Sequence, residues 1–247
     1  MKKLNCIIAT LSILISNAKP QDLTNYDESK VPSYKLPELL VSLKGKPITS
    51  SSEWMEIRRP EILSLFEESM YGKIPGTLNI SSYRIIETDT SALGNKAIRK
   101  QVVLIFSKAG KELNVNLLIY LPKNVVRAPV FVGYNFDGNH AVSDDPDILV
   151  TTSWLRDDSA HGVINNHATE RSRGIEKGRW EIGKILNAGY GLVTLYYGDV
   201  DPDKNDFTDG VHSLMYRKGQ TKPAADEWGS ISAWAWGLSR VMDYLEK

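Results

Sequence analysis

Cysteine is almost absent: the 247 residues contain one, Cys6, inside an apolar N-terminal stretch. A chain with no second thiol forms no internal disulfide and builds no thiolate metal cage. Once that stretch is removed it has no cysteine nucleophile either. Charge of one sign is not in excess, since 30 basic and 30 acidic residues cancel to a formal net charge of zero. That balance argues against a nucleic-acid surface or a patch for anionic membranes. Histidine is scarce, with His140, His161, His167 and His212 only. None stands in His-Glu-x-x-His or another short ligand spacing, so no metal site is expected. Beyond the N-terminus no apolar run approaches the ~20 residues of a membrane span. A complete Gly-x-Ser-x-Gly elbow is missing too. Gly237-Leu238-Ser239-Arg240 supplies its first half, but Val241 replaces the second glycine, and Trp234-Ala235-Trp236 precedes it in helical register. An elbow needs a strand before the serine, so Ser239 reads as a residue within an amphipathic helix.

The N-terminus carries a signal. Met1-Lys2-Lys3 is basic, residues 4–15 are mostly apolar, and Ser16 and Ala18 put small residues at the −3 and −1 positions of a cleavage site. This pattern predicts a secretory signal peptide over residues 1–18. The expected location is secreted or periplasmic. Cys6 sits at the start of the apolar run, where a lipid-bearing cysteine would follow it.

Residues 19–48 form an extended lead-in punctuated by Pro32, Pro37 and Pro47, because the residue before a proline is driven out of the helical region. The remainder, 49–247, is predicted to be part of one α/β domain. N-cap chemistry at 49–52 precedes a helical period over 54–71, in which Pro60 suggests two helices meeting, and Gly72 to Gly76 stop it. Strands are predicted at 82–88, 97–107, 113–121 and 130–134, with a hairpin turn at 108–111 joining the second and third. A helix is expected over 175–187, a second parallel strand over 192–197, and a last helix over 226–247 with Trp228, Trp234 and Trp236. Strand and helix alternating in this way is an α/β pattern.

The centre of the chain is Pro129-Val130-Phe131-Val132-Gly133-Tyr134-Asn135-Phe136-Asp137-Gly138-Asn139-His140. Its apolar half predicts a strand buried on both faces. Its polar half falls where open α/β sheets place their chemistry, outside the carboxyl end of a strand. His140 is expected to hydrogen-bond neighbouring backbone. The run Asp199-Val200-Asp201-Pro202-Asp203-Lys204-Asn205-Asp206 imitates the start of a calcium loop, but Lys204 and Gly210 stand where a turn glycine and a glutamate belong. A solvated loop with Asx turns is the expected reading.

These pieces form an ordered series: Lys30-Val31-Pro32, Arg58-Arg59-Pro60-Glu61, Asn135-Phe136 with Gly138-Asn139-His140, Arg179-Trp180, Gly189-Tyr190-Gly191, Tyr196-Tyr197-Gly198-Asp199-Val200-Asp201-Pro202-Asp203 and Asp226-Glu227-Trp228-Gly229. From about Tyr26 onward the series resembles the bacterial glucuronoyl esterases, carbohydrate esterase family fifteen. The resemblance implies a partial α/β-hydrolase fold, the N-terminal half of its sheet. It implies a secreted carboxylic ester hydrolase acting on lignin–glucuronoxylan esters through a Ser/His/acid triad, with no cofactor. It further implies a polysaccharide partner (glucuronoxylan or its lignin ester), no nucleic acid, no membrane after signal cleavage, and a monomer at full length. The family's catalytic residues match nothing in this chain. The family's loop does match, which makes Asn135, Phe136, Gly138, Asn139 and His140 the candidate oxyanion-side residues. In α/β-hydrolases such a loop supplies one backbone N–H to the oxyanion hole. A non-catalytic carbohydrate-binding remnant and an acetyl xylan esterase are the alternatives. The family's topology places strand 130–134 between strand 192–197 and the strand that carries the serine, so its outer edge is expected to be open here.

Overall fold

The computed structural model describes residues 25–123 and 125–246; the expected signal peptide, 1–18, lies outside them. Among the described residues seven strands are formed: β1 (Ser82–Ser91), β2 (Ala97–Lys108), β3 (Lys111–Pro122), β4 (Val130–Asn135), the two-residue β5 (Val163–Ile164) and β6 (His167–Ala168), and β7 (Gly191–Tyr196). The main sheet has the order β1-β2-β3-β7-β4. Its first four strands are antiparallel neighbours and β7 runs parallel to β4. The hairpin between β2 and β3 turns through Ala109 and Gly110, at φ 52° and 78°. Two successive positive φ angles give the turn whose twist matches the strands it joins.

The sheet is covered on both faces. On one side Val102, Leu104, Phe106, Leu117, Val193 and Leu195 pack against Trp228, Ala233, Trp236 and Val241 of the C-terminal segment. On the other, Leu118, Tyr120 and Leu192 meet Val142, Ile148, Ile182 and Leu186. Burying a large aliphatic side chain contributes about 1.5–3 kcal/mol relative to exposing it, so these two layers dominate the stability. A polar staple joins the second layer to the sheet. Arg99, buried in β2, hydrogen-bonds Glu87 of β1 and pairs with Asp145 of the covering loop.

Several sequence expectations change in three dimensions. Strand β4 is not buried on both faces: it is the edge of the sheet and Phe131 is 55% exposed. The strand buried along its whole length is β7, because it has neighbours on both sides and layers above and below. Helix 175–187 shortens to Ile182–Asn187. Residues 174–179 make isolated turns instead, with Lys177 and Arg179 amides bonded three residues back. The last helix is Ser230–Leu245 and starts later than expected. Trp228 donates its amide to the Lys73 carbonyl and Lys73 donates to the Asp226 carbonyl, a bridge to Glu227 that follows a turn closed by the Glu227 amide on Ala224, so the helix cannot start there. The two helices expected to meet at Pro60 do so without a break in the run, a π-type segment passing into an α-helix. Segments Ser51–Glu53, Trp54–Arg58, Arg59–Phe66 and Glu67–Tyr71 follow one another as one helical run, with Pro60 in the first turn of the third segment. Pro60 is tolerated there because it stands in the first turn of Arg59–Phe66, where its fixed φ suits the helix. Ser50 caps the run and Gly72, at φ 76°, ends it.

Candidate functional site

Strand β4 ends at Asn135, and the chain then turns inward. Asn135 Nδ2 donates to Asn139 Oδ1 at 2.7 Å and to Thr194 Oγ1 of β7 at 3.1 Å. Asn139 Nδ2 donates to the Asn116 carbonyl of β3 at 2.9 Å. Gly138 permits the turn. Its φ is +91°, and a Cβ there would lie 2.7 Å from Thr151 Cγ2 and 2.8 Å from His140 Cε1. A side chain would meet strain and collision at once.

His140 is fully buried and its Nε2 lies 2.7 Å from Ser172 Oγ. The hydroxyl of Ser172 already donates to the Thr169 carbonyl at 2.7 Å. A hydroxyl has one hydrogen, so His140 Nε2 carries a hydrogen and donates it, and Nδ1 is the bare nitrogen. Burial, reinforced by the nearby Arg173 charge, lowers the His140 pKa to about 4, so the ring is neutral at ordinary pH. The partner is thus a side chain, not the neighbouring backbone expected from sequence, because the loop at 169–174 folds against it: Gly174 donates its amide to the His140 carbonyl. This serine–histidine pair is not a nucleophile and its base. Ser172 is fully buried, its hydrogen is committed, and His140 Nδ1 has no acid partner.

Phe136 points outward and is 54% exposed. Its ring packs 5.3 Å from Tyr197, and the Arg179 guanidinium sits 5.7 Å from its centroid. Tyr197 in turn meets Trp234 edge-on at 5.2 Å. The mouth at the carboxyl ends of β4 and β7 is therefore an aromatic surface on a polar, hydrogen-bonded base. Asp137 lies beside it. Burial, then the charges of Glu176 and Asp158, raise its pKa above the usual carboxylate range.

Beneath the loop is a cleft of about 270 Å³ lined by Gln101, Asn116, Asn139, Thr151, Tyr196 and Asp199, among others. The Asp-rich run is not uniformly solvated, as its composition suggested. Asp199 and Asp201 are buried and only its later part is a surface loop, with Asp206 making the expected turn bond to the Thr208 amide. Asp199 accepts from the Asn116 amide and side chain, both at 2.9 Å, and from Ser153 Oγ at 2.5 Å. Burial pushes its pKa up. Asp201 pairs with His212 Nδ1 at 2.8 Å, while His212 Nε2 donates to the Trp228 carbonyl at 3.1 Å. Among the described residues no group of three or more acidic, histidine or cysteine side chains is arranged to hold a metal ion. Ser239 lies mid-helix with its hydroxyl donating to the Ala235 carbonyl at 3.2 Å, which is the behaviour of an ordinary helical serine.

Sequence reasoning found the loop but missed Asn116, Ser153 and Thr194. A faint signal exists for two of them: each is a polar residue inside an otherwise apolar strand run, Val115-Asn116-Leu117 and Val193-Thr194-Leu195.

A mixed sheet with helices on its faces and a polar loop at the end of a parallel strand defines this as part of an α/β-hydrolase fold. No protein-family model matches the chain. Individual relatives do. A curated carbohydrate esterase of an unknown prokaryotic organism is 46% identical over 226 residues, which is 90% of this chain and 51% of that protein. A solved promiscuous family-fifteen carbohydrate esterase from the marine bacterial metagenome is 46% identical with a TM-score of 0.76, over 90% of this chain and 55% of its own. A glucuronoyl esterase from Solibacter usitatus is 41% identical with a TM-score of 0.78, over 89% of this chain and 55% of its own. One from Teredinibacter turnerae is 25% identical with a TM-score of 0.62, over 85% and 46%. The chain belongs to carbohydrate esterase family fifteen, and it spans about half the length of the relatives it matches.

Proposed function

We propose that this chain is the oxyanion-side portion of an exported carboxylic ester hydrolase that cleaves glucuronoyl esters linking glucuronoxylan to lignin alcohols. The observation that supports this best is the loop after β4. Its side chains Asn135, Asn139 and His140 are buried and hydrogen-bonded, so its backbone is held rigid at the carboxyl end of the parallel strands. A fixed backbone N–H at that place is what a tetrahedral oxyanion needs, and losing one such donor costs about 3–4 kcal/mol of barrier. In this reading the nucleophile, its histidine and its acid belong to the part of the relatives' length that this chain does not span, and neither the sealed Ser172 nor the helical Ser239 serves as the nucleophile.

The test is hydrolysis of benzyl glucuronate and p-nitrophenyl acetate by this polypeptide, alone and joined to the sequence that completes the domain. The polypeptide alone is expected to give no turnover above a buffer blank, and the completed one to prefer the uronate ester. Saturable hydrolysis by the chain alone that disappears in Ser239→Ala would overturn the assignment. Preference for acetate would move the substrate class to acetyl xylan. A non-catalytic carbohydrate-binding role is the second reading, favoured by the exposed Phe136 ring, which offers a sugar face a stacking surface without any nucleophile.

A further inference from the structure

We propose that Asp199 is the positioning residue of the β4 loop, acting through Asn116 and Asn139 without touching any reacting group. The inference rests on the esterase reading only for its consequence, since the physical linkage stands on the geometry alone.

The chain of contacts is continuous and buried. One carboxylate oxygen of Asp199 accepts both the backbone amide and the side-chain amide of Asn116, each at 2.9 Å. The other oxygen accepts Ser153 Oγ at 2.5 Å. The two Asn116 bonds fix the β3 backbone where its carbonyl receives Asn139 Nδ2 at 2.9 Å. Asn139 Oδ1 then receives Asn135 Nδ2 at 2.7 Å, at the last residue of β4. Four separate segments are thereby joined: β3, the loop after β4, the turn after β7, and the strip containing Ser153.

The choice of a carboxylate is informative. Asp199 is 4% exposed and no cation among the described residues pairs with it. Burying an unpaired charge is costly unless several donors surround it. Three donors do surround it here, two from Asn116 of β3 and one from Ser153. The anchor lies in the acceptor geometry, since one side-chain oxygen takes both Asn116 donors at once. Asp199 lines the cleft beneath the loop but lies apart from the outward face where Phe136 is exposed. It thus suits a support role and not contact with substrate.

Native-state hydrogen exchange of the full chain tests this. The reporters are the amides of Ala141 and Gly174, bonded to the carbonyls of Gly138 and His140 at 3.0 Å each. Asp199→Ala is expected to speed their exchange by about tenfold or more while the β2–β3 ladder keeps its protection. Asp199→Asn is expected to restore most of the protection, because its one amide oxygen can still accept both Asn116 donors. Ser153→Ala, which removes a single donor, should give a smaller acceleration in the same amides and covers the case in which Asp199→Ala does not fold. Asn139→Ala combined with Asp199→Ala should be less than additive, because both act on Asn116, one through its carbonyl and one through its amides. Equal acceleration throughout the sheet, failure of asparagine to rescue, or strict additivity would each overturn the proposal. None of these readouts requires turnover, so a failed esterase assay leaves the linkage standing, and the reverse also holds.

Discussion

The Tyr134 hydroxyl donates to the Trp234 carbonyl at 2.7 Å and ties the edge strand β4 to the C-terminal helix. The contact is tight because Gly237 lies one turn along: a Cβ at that position would collide with the Tyr134 oxygen and lie 2.8 Å from Val200 Cγ2. Burial and the Asp199 charge hold this phenol well above the ordinary tyrosine range, so it donates at any pH the protein tolerates.

Tyr134→Phe should cost about 0.5–1.5 kcal/mol, the net worth of a typical hydrogen bond. Gly237→Ala should cost more, about 1–3 kcal/mol, as overpacking. Because the added methyl meets the oxygen that Tyr134→Phe removes, the double variant should lose clearly less than the sum. Denaturant unfolding of the four proteins checks this, and strict additivity would mean the two residues do not share the space.

Stability should fall on the acid side through His140. Its folded pKa, about 4, lies below the ordinary histidine value near 6.5. The neutral ring is therefore favoured in the folded state. Its contribution is complete above the unfolded value and is lost as pH falls from there through the folded one. A shift of this size amounts to roughly 3 kcal/mol at the acid limit. Unfolding free energy measured across that window should change less steeply in His140→Gln than in the parent. Proton resonances should show His140 still neutral at a pH where His161, whose exposed ring is held by Asp158, has gained its charge.

Self-association should follow from the open side of β4. Phe131 is exposed, its ring 5.2 Å from that of Tyr190, and an apolar strand edge is a template for pairing with another chain. Sedimentation velocity should show concentration-dependent association or aggregation that Phe131→Lys reduces. A strictly monomeric parent with a cooperative melt would show that this edge is adequately protected and would strengthen the binding-module reading.

Export is the remaining expectation. The basic start, apolar run and small residues at Ser16 and Ala18 predict cleavage after Ala18. Amino-terminal sequencing of exported protein should begin at Lys19, whereas cytoplasmic protein retaining Met1 would overturn it.

What the sequence determined by itself was local. Alternating and apolar runs specify β1, β2, β3, β4 and β7, and Lys108 to Lys111 specify the hairpin between two of them, because backbone preference and turn chemistry act over a few residues. The loop from Asn135 to His140 was legible for the same reason, as an abrupt change from β-formers to turn residues. What covers each element was decided only by the tertiary structure. The runs at β4 and β7 look equally apolar, yet β7 is enclosed and β4 is an edge. The aspartates of 199–206 look equally polar, yet Asp199 and Asp201 are interior and Asp206 is at the surface. Burial is a property of neighbours that arrive from distant parts of the chain, such as Asn116 and Ser153 around Asp199, and Ser172 against His140. Those encounters convert a polar residue from a solvated group into an anchor, and no short stretch of sequence contains them.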